Sequence, residues 1–166
     1  MKLAAVLLLA AFCSSCTCFE STSSQSSKSA PKKQTVRTTA YTHSESDHRR
    51  YGRKTAIGTR LKYGDERSAA ADWSVYPLGT KFKIKGEPHE YIVEDYGSAL
   101  VGTETIDLYK PSRSSMNHWG VRHVDIEVLE WGCPHESMDV LRSRCRYSHC
   151  RAMYNDLQAE NGSFEL

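Results

Sequence analysis

The chain has 166 residues, with 22 Lys plus Arg against 20 Asp plus Glu and a formal charge of +2. That length holds one domain and no second sizeable core, and so even a charge balance argues against a nucleic-acid binder driven by phosphate neutralisation. Aromatics at 10% exclude a disordered chain, and no apolar run reaches the ~20 residues that span a bilayer.

Met1 and Lys2 supply a short positive start, residues 3–12 are an unbroken apolar run, and Ser14, Ser15 and Cys16 follow. This is the pattern of a secretory signal peptide, too short for a transmembrane anchor, and residues 1–15 are assigned to it. Cys13, Cys16 and Cys18 crowd its exit. The segment resembles a bacterial lipoprotein signal, with Cys16 as the lipidated residue; plain cleavage is the alternative. Residues 16–34 are Ser-rich and almost free of apolar side chains, so they read as a disordered tether.

From residue 35 the texture changes. Residues 35–42 are rich in β-branched side chains and predict a strand. Residues 43–55 read as a long loop, and residues 56–61 as a short strand after it. Residues 68–72 are short and Ala-rich. Pro77 to Thr80 predicts a turn. Lys81-Phe82-Lys83-Ile84-Lys85 alternates as a half-buried strand does. Gly86 and Pro88 turn the chain into a strand over residues 90–95. Gly97 and Gly102 bracket a loop, residues 105–109 predict another strand, and residues 111–118 one or two helical turns. Val124, Ile126 and Val128 share one face of a last strand over residues 121–129. Short strands at this spacing predict a small β-barrel or sandwich over residues 35–131.

The tail, residues 132–166, reads as a helix or two packed on the barrel, with Met138, Leu141, Cys145, Met153 and Leu157 as its apolar side. Its arginines, Arg142, Arg144, Arg146 and Arg151, read as a solvated face, with contact to anionic wall polymers or lipid headgroups as the alternative. Cys133, Cys145 and Cys150, with Cys18, allow two disulfides in an oxidising compartment. Zinc is disfavoured, because the spacings match no common ligand pattern. Neither a metal nor a cofactor is expected.

The chain has eight aspartates, and three sit where local structure is tightest: Asp72, Asp95 and Asp107. Asp107 is the most informative. Ile106 and Leu108 must share one face of their strand, so Asp107 and Tyr109 share the other. If the apolar pair fills the barrel, Asp107 points into any groove outside it. Two carboxylates close together do not both ionise readily, and the one that keeps its proton can act as an acid.

Seven blocks carry a resemblance. They are Thr39-Ala40-Tyr41, Thr55-Ala56-Ile57-Gly58-Thr59, Ala70-Ala71-Asp72, Pro77 to Lys81, Glu94 to Gly102, Ile106 to Tyr109, and Asn117 to Gly120. In this order the chain resembles the 3D (three-aspartate) domain family, similar to the catalytic domain of membrane-bound lytic transglycosylase A. The resemblance implies an all-β, six-stranded double-psi β-barrel, here with a helical, cysteine-containing C-terminal tail. It implies cleavage of the β-1,4 bond between N-acetylmuramic acid and N-acetylglucosamine in peptidoglycan, giving a 1,6-anhydro product. Asp72, Asp95 and Asp107 fall on the three aspartates, with Asp107 as general acid/base. Tyr41, Thr59, Tyr96, Gly97, Tyr109 and Trp119 are the expected sugar-binding residues. The departures are one extra residue between Asp95 and Asp107, and Tyr96 and Ser98 where smaller residues are usual.

The expected partners are peptidoglycan glycan strands, reached from the cell envelope or after secretion. Membrane contact is expected only through a lipid anchor, and no nucleic acid is expected. Two other readings stay open. One is a non-catalytic peptidoglycan-binding module. The other is a glycoside hydrolase, with Glu94, Glu104 or Asp47 as a second carboxylate.

Overall fold

The computed structural model describes residues 32–46 and 48–162. The signal peptide, Cys13, Cys16, Cys18, the tether up to residue 31 and Asp47 lie outside the described residues.

The strands are β1 (Lys32–Tyr41), β2 (Glu66–Ala70), β3 (Lys81–Ile84), β4 (Glu90–Asp95), β5 (Ile106–Tyr109) and β6 (Arg122–Glu130). They close into a barrel in the order β1-β5-β2-β4-β3-β6. β1 pairs parallel with β5 and β2 with β4, and the other neighbours are antiparallel. Exchanging β1, β2 and β3 for β4, β5 and β6 returns the same ring with the same senses. This internal two-fold belongs to the double-psi barrel that the resemblance implies, and closure leaves no free sheet edge.

The alternating strands fill the barrel as their pattern requires. Phe82 and Ile84 are buried and Lys83 is exposed. Phe82 pairs with Tyr91 across β3 and β4, the rings stacked at 5.3 Å between centroids. Ala69, Val93, Ile106, Leu108, Ile126 and Val128 complete the inner layer.

Three elements differ from their sequence reading. Residues 56–61 form a tight loop rather than a strand. Gly58, at φ +84°, donates to the Thr55 carbonyl at 3.0 Å, and that backbone belongs to a turn. The Ala-rich stretch is the central strand β2, where small side chains fit between two neighbours. β1 begins at Lys32, inside the stretch read as tether, because β6 pairs with it from Lys32↔Val128 onward.

The helices are α1 (Arg113–Trp119), α2 (Pro134–Arg142) and α3 (Ser148–Gly162). Ser112 caps α1, its hydroxyl accepting from the Ser115 amide. Pro134 opens α2, where its missing N–H costs nothing. Leu141, Cys150, Met153 and Leu157 are at most 1% exposed and share one core with the barrel. The tail is therefore part of the domain. Its junction depends on Gly132, where a Cβ would overlap the carbonyls of Pro77 and Leu78. That close approach lets Cys133 donate to the Leu78 carbonyl at 3.0 Å, and the Leu78 amide donates to the Ser137 hydroxyl at 2.8 Å.

Among the described residues Cys133, Cys145 and Cys150 are free thiols and none bridges another, while Cys18, the fourth candidate, lies outside the described residues. Cys150 is buried in the core that α3 makes with the barrel.

Candidate functional site

A bulge sets the geometry. Ala69 pairs with Val93 and Ala70 with Asp95, so Glu94 is skipped. The extra residue re-aims Asp95 onto the same face as Ala70. On its other side Ala70 pairs with Asp107, and Asp107 pairs with Thr39. Thr39, Asp107, Ala70 and Asp95 therefore form one row across β1, β5, β2 and β4. Ile106 and Leu108 point inward at 0% exposure, so the row lies on the outer face, as the flanks of Asp107 predict. With strands ~4.8 Å apart, the two aspartate backbones stand about 10 Å apart, with only a methyl group between them.

Asp107 is half-buried, and its Oδ1 accepts from the Thr39 hydroxyl at 2.7 Å. Asp95 is 7% exposed; its Oδ1 accepts from the Tyr96 amide at 3.0 Å and its Oδ2 from the Tyr41 hydroxyl at 3.3 Å. Burial pushes Asp95 up to about 7 against those donors and the Ala56 amide, with Glu94 adding to the rise. Tyr41 stands among the acids. Burial, then the charges of Asp95, Asp107 and Glu94, hold its phenol well above the ordinary range. Glu94 is engaged elsewhere, accepting from the Ser68 hydroxyl at 2.5 Å and paired with Lys62 at 3.1 Å.

Asp72 does not join the row. It is 1% exposed, and its Oδ1 accepts from the Ser74 amide and hydroxyl at 2.9 and 2.6 Å. Its Oδ2 accepts from the Gly102 amide at 2.7 Å. It pins the 97–105 loop against the end of β2. Trp119 is a second correction. It is 7% exposed, its indole donates to the Thr38 hydroxyl at 3.3 Å, and Lys110 and Arg122 cover its ring. Tyr109 is 2% exposed and bonds to His43 at 2.9 Å, so it supports the site from beneath. Thr59 is exposed and its hydroxyl meets that of Thr55 at 2.8 Å.

A groove of about 790 Å³ opens beside the row, with Asp95, Tyr96 and Gly97 in its lining. Asp107 is not among its lining residues. The other wall includes Arg144, Tyr147 and His149; the sequence marked Arg144 only as one of several tail arginines, and gave no sign that it stands beside Tyr96. The available signal was the Cys150, Met153, Leu157 stripe, which turns the stretch before α3 toward the barrel. Among the described residues no group of three or more His, Cys, Asp or Glu side chains is placed to hold a metal ion.

A closed six-stranded barrel with a carboxyl pair on its outer face is the class of protein that these observations define. Residues 67–130, which run from β2 to the end of β6, match the family model described as the 3D domain. Over 107 residues, 64% of this chain and 25% of its own, it is 38% identical to YabE of Bacillus subtilis (strain 168), a protein named for cell wall shaping. It is 35% identical to the cell wall-binding protein YocH of the same organism over 108 residues, 64% of this chain and 36% of that one. The chain thus spans about a quarter to a third of these curated relatives. The crystal structure of MltA from E. coli aligns with 47% of this chain and 27% of its own, at 24% identity and a TM-score of 0.38.

Proposed function

We propose that the chain is an exported, envelope-located lytic transglycosylase that cleaves the β-1,4 bond between N-acetylmuramic acid and N-acetylglucosamine in peptidoglycan. The observation that carries this reading is the cross-strand row, in which Asp95 and Asp107 flank Ala70 around the Tyr41 hydroxyl. The cell-wall names of both relatives support the substrate class.

Asp107, the more open acid, holds the proton and delivers it to the glycosidic oxygen as the bond to C1 breaks. The C6 hydroxyl of the same muramyl residue then attacks C1. Its proton passes to the Asp107 carboxylate, which restores the acid and leaves a 1,6-anhydro ring. Burial pushes Asp95 up to about 7, so it takes up a proton readily near neutral pH and adds less negative charge beside Asp107 when that residue gives up its own. Thr39 and Tyr41 orient the two carboxyls, and Asp72 is a positioning residue for the loop after β4. Cys16 is the proposed lipid attachment point.

The test is mass spectrometry of soluble products released from purified peptidoglycan. Wild type releases anhydromuropeptides, and Asp107→Asn lowers that release by at least about 10²-fold while keeping the melting temperature. Reducing-end products in place of anhydro ends would make the chain a hydrolase. The name of YocH favours a second reading, a non-catalytic wall binder. Release by neither protein, with wild type still pelleting with the wall, would establish that reading and overturn the enzyme.

A further inference from the structure

The matched domain ends at residue 130, yet one wall of the groove comes from beyond it. Arg144, Arg146 and Tyr147, between α2 and α3, and His149, in the first turn of α3, line the groove together with part of the 48–58 loop. Arg144 ties the two walls together: it donates to the Tyr96 hydroxyl at 3.0 Å and to the Ala56 carbonyl at 2.7 Å. Each wall repeats one device. The Arg50 guanidinium lies over the exposed Tyr51 ring at 4.5 Å, and that of Arg146 over the exposed Tyr147 ring at 4.8 Å.

With Lys54, the lining holds four permanent cations and one carboxylate, that of Asp95. Among the described residues, Lys54, Arg144 and Arg146 form no ion pair with a carboxylate. A guanidinium fork fits a carboxylate in two parallel bonds, and an exposed tyrosine face suits the C–H side of a sugar ring. A neutral glycan uses the rings and leaves the cations without a counter-charge.

We propose that this wall is a carboxylate-recognition subsite, through which the groove selects amino-sugar strands bearing free carboxylates over neutral ones. The inference rests on the glycan reading above and names a requirement that reading lacks. The carboxylates have two possible sources: the lactyl groups of peptide-free strands, or the stem peptides of intact ones.

The test is calorimetric titration of the full chain carrying Asp107→Asn, which prevents turnover. One probe is an N-acetylglucosamine/N-acetylmuramic acid tetrasaccharide with free lactyl carboxylates. The second has those groups as methyl amides, and the third carries stem peptides. A carboxylated form binds about tenfold more tightly than the amide, the size of one charge-assisted contact, and the tighter of the two identifies the source. Adding Lys54→Gln and Arg146→Gln, both on exposed side chains, removes the preference and leaves amide binding and melting temperature unchanged. Equal binding of acid and amide would overturn the subsite and leave the glycan reading standing. Binding of none of the three would overturn both. Tighter binding of a glycerol phosphate oligomer than of either carboxylated probe would replace the carboxylate assignment with a phosphodiester one.

Discussion

Asp72 lies two residues beyond Ala70, just past the end of the strand that separates Asp95 from Asp107, yet it is used in the opposite way. Its carboxylate takes three donors at 2.6 to 2.9 Å, from Ser74 twice and from Gly102. Asp95 is almost as buried, but its donors from Tyr96 and Tyr41 stand farther off, at 3.0 and 3.3 Å, and together with the Ala56 amide they do not offset its burial. Burial by itself therefore does not mark a reactive carboxyl. Full satisfaction by close donors turns an aspartate into a staple. Desolvation without full satisfaction leaves an acid that can hold and move a proton.

Three experiments sharpen this contrast. The largest effect on stability falls on Asp72→Ala, which removes the buried carboxylate that the Ser74 and Gly102 amides donate to. It is expected to cost on the order of 3–5 kcal/mol in denaturant unfolding, with activity per folded molecule within a few-fold of wild type. An unchanged midpoint would mean that the staple is dispensable.

Next comes a pH effect with a defined sign. Asp95 sits at about 7 when folded and near 3.9 when unfolded, so the native state holds the extra proton between these values. Wild-type stability should fall as pH rises from about 4 to 7, by on the order of 3–4 kcal/mol, and then level off. Asp95→Asn should flatten that slope in melting temperatures measured from pH 4 to 8. Parallel curves for the two proteins would place the proton elsewhere.

The smallest effect belongs to Thr39→Val, which removes the donor to Asp107 Oδ1. It should lower kcat about 3–10-fold at unchanged KM, with a stability change of about 1 kcal/mol. A larger fall in stability than in kcat would make Thr39 a packing residue.

Local sequence determined what depends on near neighbours. The alternation over 81–85 and 90–95 predicted β3 and β4, and Ile106 and Leu108 sent Asp107 outward. The Pro and Gly at 77–79 and 86–88 marked turns that formed, with Gly79 and Gly86 at positive φ. These follow from side-chain period and backbone freedom, which a few residues specify.

The tertiary structure decided what depends on distant partners. Asp72 became a staple because Gly102, thirty residues further on, donates to it. Trp119 left the sugar-binding set because Thr38, 81 residues away, takes its indole N–H. The bulge at Glu94 exists only in pairing with β2, and without it Asp95 would face the core. The arginines of the tail are alike in sequence, a solvated face or a contact for anions, and only the docking of Cys150, Met153 and Leu157 on the barrel carries Arg144 to the groove. The two-fold of the barrel leaves no repeat in the chain. Strand pairing is made by backbone hydrogen bonds, and these constrain the outline of a side chain far less than its identity.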